Sequence, residues 1–353
     1  MTDSFGIRLH QARVKAQLTL EALSVRIGGL VTKQALSKYE KGSANPSSAV
    51  VLALAEALGV EPEYFNRPVT FDASNLQLSF RKKSTLGAKD ILKLRIDIQE
   101  MVERYLELEQ LLAVSQPKPA PMDAHDLSTP EEMAAYAKEL RREWGLGNEP
   151  IASVPDLLAS KGVKVIFTDG PDGFSGVSAV INDCHYVIII NRKEYHTERR
   201  RLTAFHEYCH LRFNNCFSTA LTQREKENLC NAFANEMLLP SEILNERLGQ
   251  KKTIPLVDLA AIDETYGISI DAIVYKLKSL GIISEQRHRS FCIRKNTNTD
   301  LKEWVEKSRY MENYTDRIEA MVYEALSQDV ITSDKAASYL GISVSEVEDR
   351  KGI

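Results

Sequence analysis

Arg201-Leu202-Thr203-Ala204-Phe205-His206-Glu207-Tyr208-Cys209-His210 is the stretch from which the rest of the chain can be read. Two histidines four residues apart fall on one face of an α-helix, about one turn apart, so both imidazoles reach one metal ion. Glu207 projects from the neighbouring edge of the same turn. A carboxylate there can take a proton from water that the metal activates. The segment 195–213 contains no Gly or Pro, and Leu202, Phe205, Cys209 and Phe213 recur at three- and four-residue steps. That spacing predicts one helix whose apolar stripe lies beside the histidine face.

Just upstream, Tyr186-Val187-Ile188-Ile189-Ile190-Asn191 reads as a strand. It is expected at the edge of a sheet, beside the histidine helix, where an extended peptide can pair with it. A catalytic zinc takes three protein ligands and keeps one position open. The third ligand is expected in the second helix, 225–240, which stops at Pro240. Glu227 and Asn231 share a face of it. Glu227 reads as the ligand, and Asn231 as a hydrogen-bond partner that orients a ligand histidine. Glu236 is the alternative ligand. His185, Tyr195 and His196 are candidates for stabilising a tetrahedral oxyanion.

The two segments RRLTAFHEYCHLRF and EKENLCNAFANEMLLP resemble the ImmA/IrrE family of zinc metallopeptidases. In that family H-E-x-x-H is followed by a helix of the form E-x-x-(A/C)-N-x-F-A-x-E-x-L-x-P. This chain fits it at Glu227, Cys230, Asn231, Phe233, Ala234, Glu236, Leu238 and Pro240. Many members read HELGH where this chain reads HEYCH, which leaves both ligands and the base in place. The resemblance, over residues 130–250, implies a zincin-like domain with Zn2+ on His206, His210 and Glu227 and with Glu207 as general base. It also implies a protein substrate, a transcriptional repressor cleaved in a stress or phage/mobile-element response.

At the other end, residues 4–66 read as a bundle of short helices. Thr19 and Thr32 are N-caps. Gly28-Gly29 and Gly42 end helices two and three, and Asn45-Pro46-Ser47-Ser48 opens the fourth. The spacing, with the string ALSKYEKGSANPS, resembles the phage-repressor-like (XRE/Cro) DNA-binding family. Leu20 stands where that family often has Gln. The resemblance implies double-stranded DNA as a partner, with Thr32, Lys33, Gln34, Ser37 and Lys38 entering the major groove. Gln suits adenine, and lysines suit guanine or phosphate. Residues 1–68 carry eight basic against six acidic side chains, only mildly basic, so a dimerisation or docking role for the bundle is the other reading.

Between these regions, Ile91, Leu94, Ile98, Met101, Tyr105, Leu108 and Leu112 predict a long helix over 86–113 that joins the bundle to the peptidase. Arg81-Lys82-Lys83 before it reads as a basic cluster. The proline-rich run 114–121 after it reads as a stiff linker. The expected domains are 1–68 (DNA binding), 69–122 (connector), 123–285 (peptidase) and 286–353 (a C-terminal helical extension). The expected fold class is α+β and mostly helical, with a small β-sheet in the peptidase.

Composition narrows the setting. The chain has 353 residues, 43% of them hydrophobic, with a net charge of −4. That suits a globular protein of two or three domains and singles out no partner by charge. The apolar runs are too short to span a bilayer, and the N-terminus lacks a basic-then-apolar signal, so a cytoplasmic location and no membrane partner are expected. Five cysteines without paired spacing fit a reducing compartment. Cys209, Cys216 and Cys230 lie near the metal motif in sequence and are read as small core residues. A homodimer is compatible with the long helix. The rival function is a non-proteolytic regulator, the antitoxin of a toxin–antitoxin pair, that binds its operator and a toxin.

Overall fold

The computed structural model describes residues 4–76, 79–80, 87–114, 117, 126–194 and 196–352. Arg81-Lys82-Lys83, most of the proline-rich run and Tyr195 lie outside them. The fold is α+β and mostly helical. Two compact units are built from interleaved parts of the chain: described residues 4–76, 87–114 and 321–352 form one, and 79–80, 117, 126–194 and 196–320 form the other.

The first unit opens with α1 (Ser4–Lys15), α2 (Leu20–Arg26), α3 (Lys33–Glu40) and α4 (Ser48–Leu58). Thr19 and Thr32 accept the Ala22 and Ala35 amides, so each caps the helix it precedes. Leu9, Leu23, Leu36, Leu54 and Phe65 fill the core between the helices. α1 lies so close to the end of α3 that a Cβ on Gly6 would fall 2.6 Å from the Tyr39 carbonyl oxygen. Arg13 and His10 of α1 both reach the Glu40 carboxylate, at 2.6 and 3.2 Å.

The long helix α5 (Ala88–Leu111) belongs to this unit. Its polar face is used as well as its apolar one. Glu103 pairs with the buried Arg8 at 2.6 Å, and Glu100 accepts from Lys15 and from the Tyr64 hydroxyl, each at 2.6 Å.

The second unit contains α6 (Pro130–Glu143), α7 (Val154–Ser160), α8 (Thr197–Phe213), α9 (Gln223–Leu238), α10 (Ser241–Leu248), α11 (Leu256–Tyr266), α12 (Ile270–Ser279), α13 (Glu285–Thr297) and α14 (Thr299–Glu306). Its sheet holds β1 (Ser79–Phe80), β2 (Val163–Thr168), β3 (Phe174–Ile181) and β4 (His185–Asn191), in the order β1-β3-β4-β2. β2 runs parallel to β4, and β3 antiparallel to it.

This order corrects the expectation that the run 186–191 is an edge strand. β4 is paired on both sides, and its pattern of buried Val187 to Ile190 follows from that. The strand toward the edge on that side is β3, which β1, among the described residues, meets at Gly176 and Phe174.

α8 packs on β3 and β4, while α9 packs on α8 and α6. Phe205, Cys209, Phe213, Phe233 and Met237 join the two helices in one core. Tyr208, 2% exposed, lies with its ring 5.6 Å from that of Trp144 and 6.1 Å from that of Phe233. The aromatic residue inside the histidine motif is therefore a packing group.

The start of α8 is held by a strap. Glu198 accepts the Arg309 and Tyr310 amides at 2.8 and 3.0 Å. The fully buried Arg201 pairs with Glu312, donates to the Ile151 carbonyl at 2.6 Å and lies under the Tyr310 ring. The chain then enters α15 (Arg317–Ser327), within which the boundary between the units falls. α16 (Ser333–Leu340) and α17 (Val344–Arg350) follow in the first unit. There Arg104 of α5 donates to the Tyr339 carbonyl at 3.2 Å, and Lys335 pairs with Glu107 at 3.1 Å.

Candidate metal centre

Three of the side chains singled out in the sequence converge. His206 and His210 of α8 meet Glu227 of α9, and one donor atom from each lies within 4.8 Å of the others. His206 Nε2 is 2.9 Å from Glu227 Oε2, His210 Nε2 is 3.5 Å from Glu227 Oε1, and the two Nε2 atoms are 3.2 Å apart. Zinc with bonds of about 2.0–2.1 Å in tetrahedral array spaces its ligand atoms about 3.3 Å apart. The three separations bracket that value, so the residues fit the ion.

The far ring nitrogens are also committed. His206 Nδ1 is 3.0 Å from Asn231 Oδ1, and His210 Nδ1 is 3.6 Å from Cys230 Sγ. An Nδ1–H donated to each of these acceptors leaves both Nε2 lone pairs facing Glu227, the tautomer a metal requires. The Asn231 contact matches the sequence expectation. The Cys230 contact was not anticipated, although a thiol one residue before Asn231 on the same helix was the signal that could have found it.

Charge in the cluster follows from this closeness. Burial works against ionisation of every member, yet the histidines keep Glu227 well below the usual carboxylate range. Conversely, the hydrogen bonds His210 gives to Cys230 and Glu227 overcome burial and push it up to about 10, and Glu227 likewise raises His206. Such a cluster attracts cations. A metal ion would replace the ring protons that Glu227 otherwise holds.

Local sequence explains the placement. Thr222 and Glu225 form a capping box that starts α9, and Gln223 Nε2 donates to Glu227 Oε1 at 2.6 Å. Glu227 remains 39% exposed and the histidines 14% and 19%, so the centre opens to solvent.

Glu207 sits beside this group and belongs to its electrostatics, its charge acting on both histidines. It is 2% exposed. Oε2 accepts the Ser178 hydroxyl at 2.9 Å, and Oε1 is buried with no partner among the described residues. Gly176 makes the approach possible: a Cβ there would meet Thr203 Cγ2 at 3.0 Å and Glu207 Cγ at 3.4 Å. Ser178 carries no sequence signal of its own. Only the pairing of β3 with β4 brings it to α8.

Glu236, the alternative ligand, is elsewhere. It is 1% exposed, pairs with Lys276 Nζ at 2.6 Å and accepts from Ser241. His185 opens β4, and the exposed His196 is the N-cap of α8, about 15 Å of helical rise before His206. Neither joins the cluster. Cys209 is fully buried in the core and Cys216 nearly so.

In the first unit, Thr32, Lys33, Gln34 and Lys38 are exposed at and after the start of α3, and Ser37 is half-buried. Leu36 faces the core.

Comparison with known proteins agrees with both regions. Residues 9–65 match the helix-turn-helix family model. Residues 158–278 match the family model for the IrrE N-terminal-like domain, a peptidase family. The chain thus carries a helix-turn-helix domain followed by a metallopeptidase-like domain. No curated protein sequence matches it. The structure of Bacillus thuringiensis PlcR in complex with the peptide PapR7 and DNA aligns over 99% of this chain and 91% of that one, at 12% identity and a TM-score of 0.19. A likeness that slight carries no argument. No helix among the described residues is long and apolar enough to cross a membrane.

Proposed function

We propose that the chain is a zinc-dependent endopeptidase coupled to a DNA-binding domain. The observation that carries this reading is the convergence of three donor atoms at zinc-like separations beside a buried carboxylate with one oxygen unsatisfied. His206, His210 and Glu227 would hold the ion. When bound, zinc supplies a Lewis acid that lets water ionise near neutral pH. The chain's own residues do the rest. Asn231 and Cys230 orient the imidazoles. Glu207 takes the proton of the attacking water on Oε1 and returns it to the departing amine.

The substrate is a protein in extended form. Among the described residues, β1 pairs with β3 at Gly176 and Phe174, and a strand toward the edge of the sheet beside α8 supports pairing with a substrate strand. A transcriptional repressor is the substrate class the resemblance suggests. The first unit, as a dimer, would place Lys33, Gln34 and Lys38 of α3 in successive major grooves of an operator.

Glu207→Gln tests the reading. It keeps size and shape but cannot accept a proton. Zinc content should equal wild type while cleavage of the partner falls by roughly 10²–10⁴-fold and the cellular phenotype is lost. A wild-type phenotype with zinc bound would replace this reading with the non-proteolytic, antitoxin-like one.

A further inference from the structure

We propose that Ser178 is the positioning residue for Glu207: its hydroxyl fixes one oxygen of the carboxylate so that the other is held toward the metal centre. The proposal rests on the peptidase reading for its purpose but on geometry for its content.

Residues 176, 178 and 180 share one face of β3 because side chains alternate along a strand. The first two form a matched pair against α8. Gly176 leaves room for the Glu207 stem, whose Cγ would lie 3.4 Å from a Cβ placed there. Two residues on, Ser178 meets the head of the same side chain, with Oγ 2.9 Å from Oε2. The strand is fixed in register by its ladder to β4, which sets Gly176 opposite Ile190 and Ser178 opposite Ile188. The donor therefore stands on rigid backbone, not on a loop.

A carboxylate turns readily about its last torsion, which is broad and two-fold. Without a donor on the sheet side, either oxygen could face the histidines, or neither. A hydroxyl has one proton to give, and here it is given to Oε2. Oε1 is then the oxygen left without a hydrogen bond in a buried setting. An unsatisfied buried acceptor is costly unless a further donor completes it. The water that attacks the substrate is the donor the chemistry calls for. Ser178 is itself half-buried, and its hydroxyl is given to Glu207, so its role runs through that residue.

The test uses the full chain loaded with zinc, as wild type, Ser178→Ala and Ser178→Thr. Glutamate carrying a 13C carboxyl is incorporated, and the Glu207 signal is identified as the one missing from Glu207→Gln. The wild-type and Ser178→Thr signals should coincide, apart from the bulk of solvated glutamates. In Ser178→Ala the signal should shift toward that bulk and broaden, with zinc content unchanged. In parallel, cleavage of fluorescein-labelled β-casein should show kcat reduced roughly ten-fold in Ser178→Ala, the order expected for one hydrogen bond to a charged group. KM should be unchanged, and Ser178→Thr should recover most of the loss. An unaltered Glu207 signal in Ser178→Ala overturns the proposal whether or not casein is cut. So does a Ser178→Thr signal that matches Ser178→Ala. Absence of cleavage by the wild type would count against the peptidase reading alone, since the carboxyl signal reports on Ser178 without turnover.

Discussion

The two ends of α9 each present a glutamate to basic groups, and they use it in opposite ways. At the C-terminal end Glu236 is sealed in. Lys276 Nζ lies 2.6 Å away, Ser241 supplies its amide at 2.9 Å and its hydroxyl, and Arg141 donates to the neighbouring Met237 carbonyl. The charge is answered permanently within the chain. At the N-terminal end Glu227 is 39% exposed, and its partners are two imidazole nitrogens that also face each other at 3.2 Å. Imidazole lone pairs do not answer a carboxylate. A proton or a metal ion must complete the group. A closed ion pair marks structure, and an open cluster of donors marks a place for a cation from outside.

The largest expected effect lies at the closed end. Lys276→Ala leaves Glu236 buried without its counter-charge and should cost about 3–5 kcal/mol. The midpoint of urea unfolding of the second unit would show it, and the folded fraction should still bind zinc. A loss of zinc without a loss of stability would erase the distinction between the two ends. Next comes Asn231→Ala, which frees the His206 ring. Zinc affinity should fall by about 10–100-fold in a competition titration against a chelator, with stability of the metal-free protein little changed. The open end itself should matter least to the fold. Glu227→Ala in metal-free protein should stay within about 1 kcal/mol of wild type, as part-exposed pairs do.

A third carboxylate sharpens the contrast through pH. Burial, and then the charge of Glu198, raise Asp263 from the ordinary 3.8 to about 7, against the opposing pull of Arg309 at 3.4 Å. A raised carboxyl favours the folded state fully below its unfolded value and loses that contribution as pH climbs through the folded one. Wild type should therefore lose stability from this site between pH 4 and 7. Asp263→Asn should lack that component, so its Tm relative to wild type should rise across the same interval. Parallel Tm profiles of the two proteins would show that Asp263 ionises normally.

How much of this was legible in the sequence depends on how far apart the interacting residues lie. His206, Glu207 and His210 are set by one helical turn, and the caps at Thr19 and Thr32 by spacings of three. Glu227 was reachable because it shares a helix face with Asn231. The edge-strand expectation failed because alternation and hydrophobic runs give a strand but not its neighbours. β4 is flanked by two strands, one before it and one well before it in sequence. Ser178 on Glu207, Glu312 on Arg201 and Ser338 on Arg67 span 29, 111 and 271 residues. Such pairs are created by the fold and leave no periodic trace.

The most direct measurement of the central claim is calorimetric titration of zinc into metal-free full-length protein, run on wild type, His206→Ala, Glu227→Ala and Glu236→Gln. One tight site per chain is expected in wild type and in Glu236→Gln, none in His206→Ala, and a much weakened one in Glu227→Ala. Tight binding retained in Glu227→Ala but lost in Glu236→Gln would contradict the assignment of the two ends of α9.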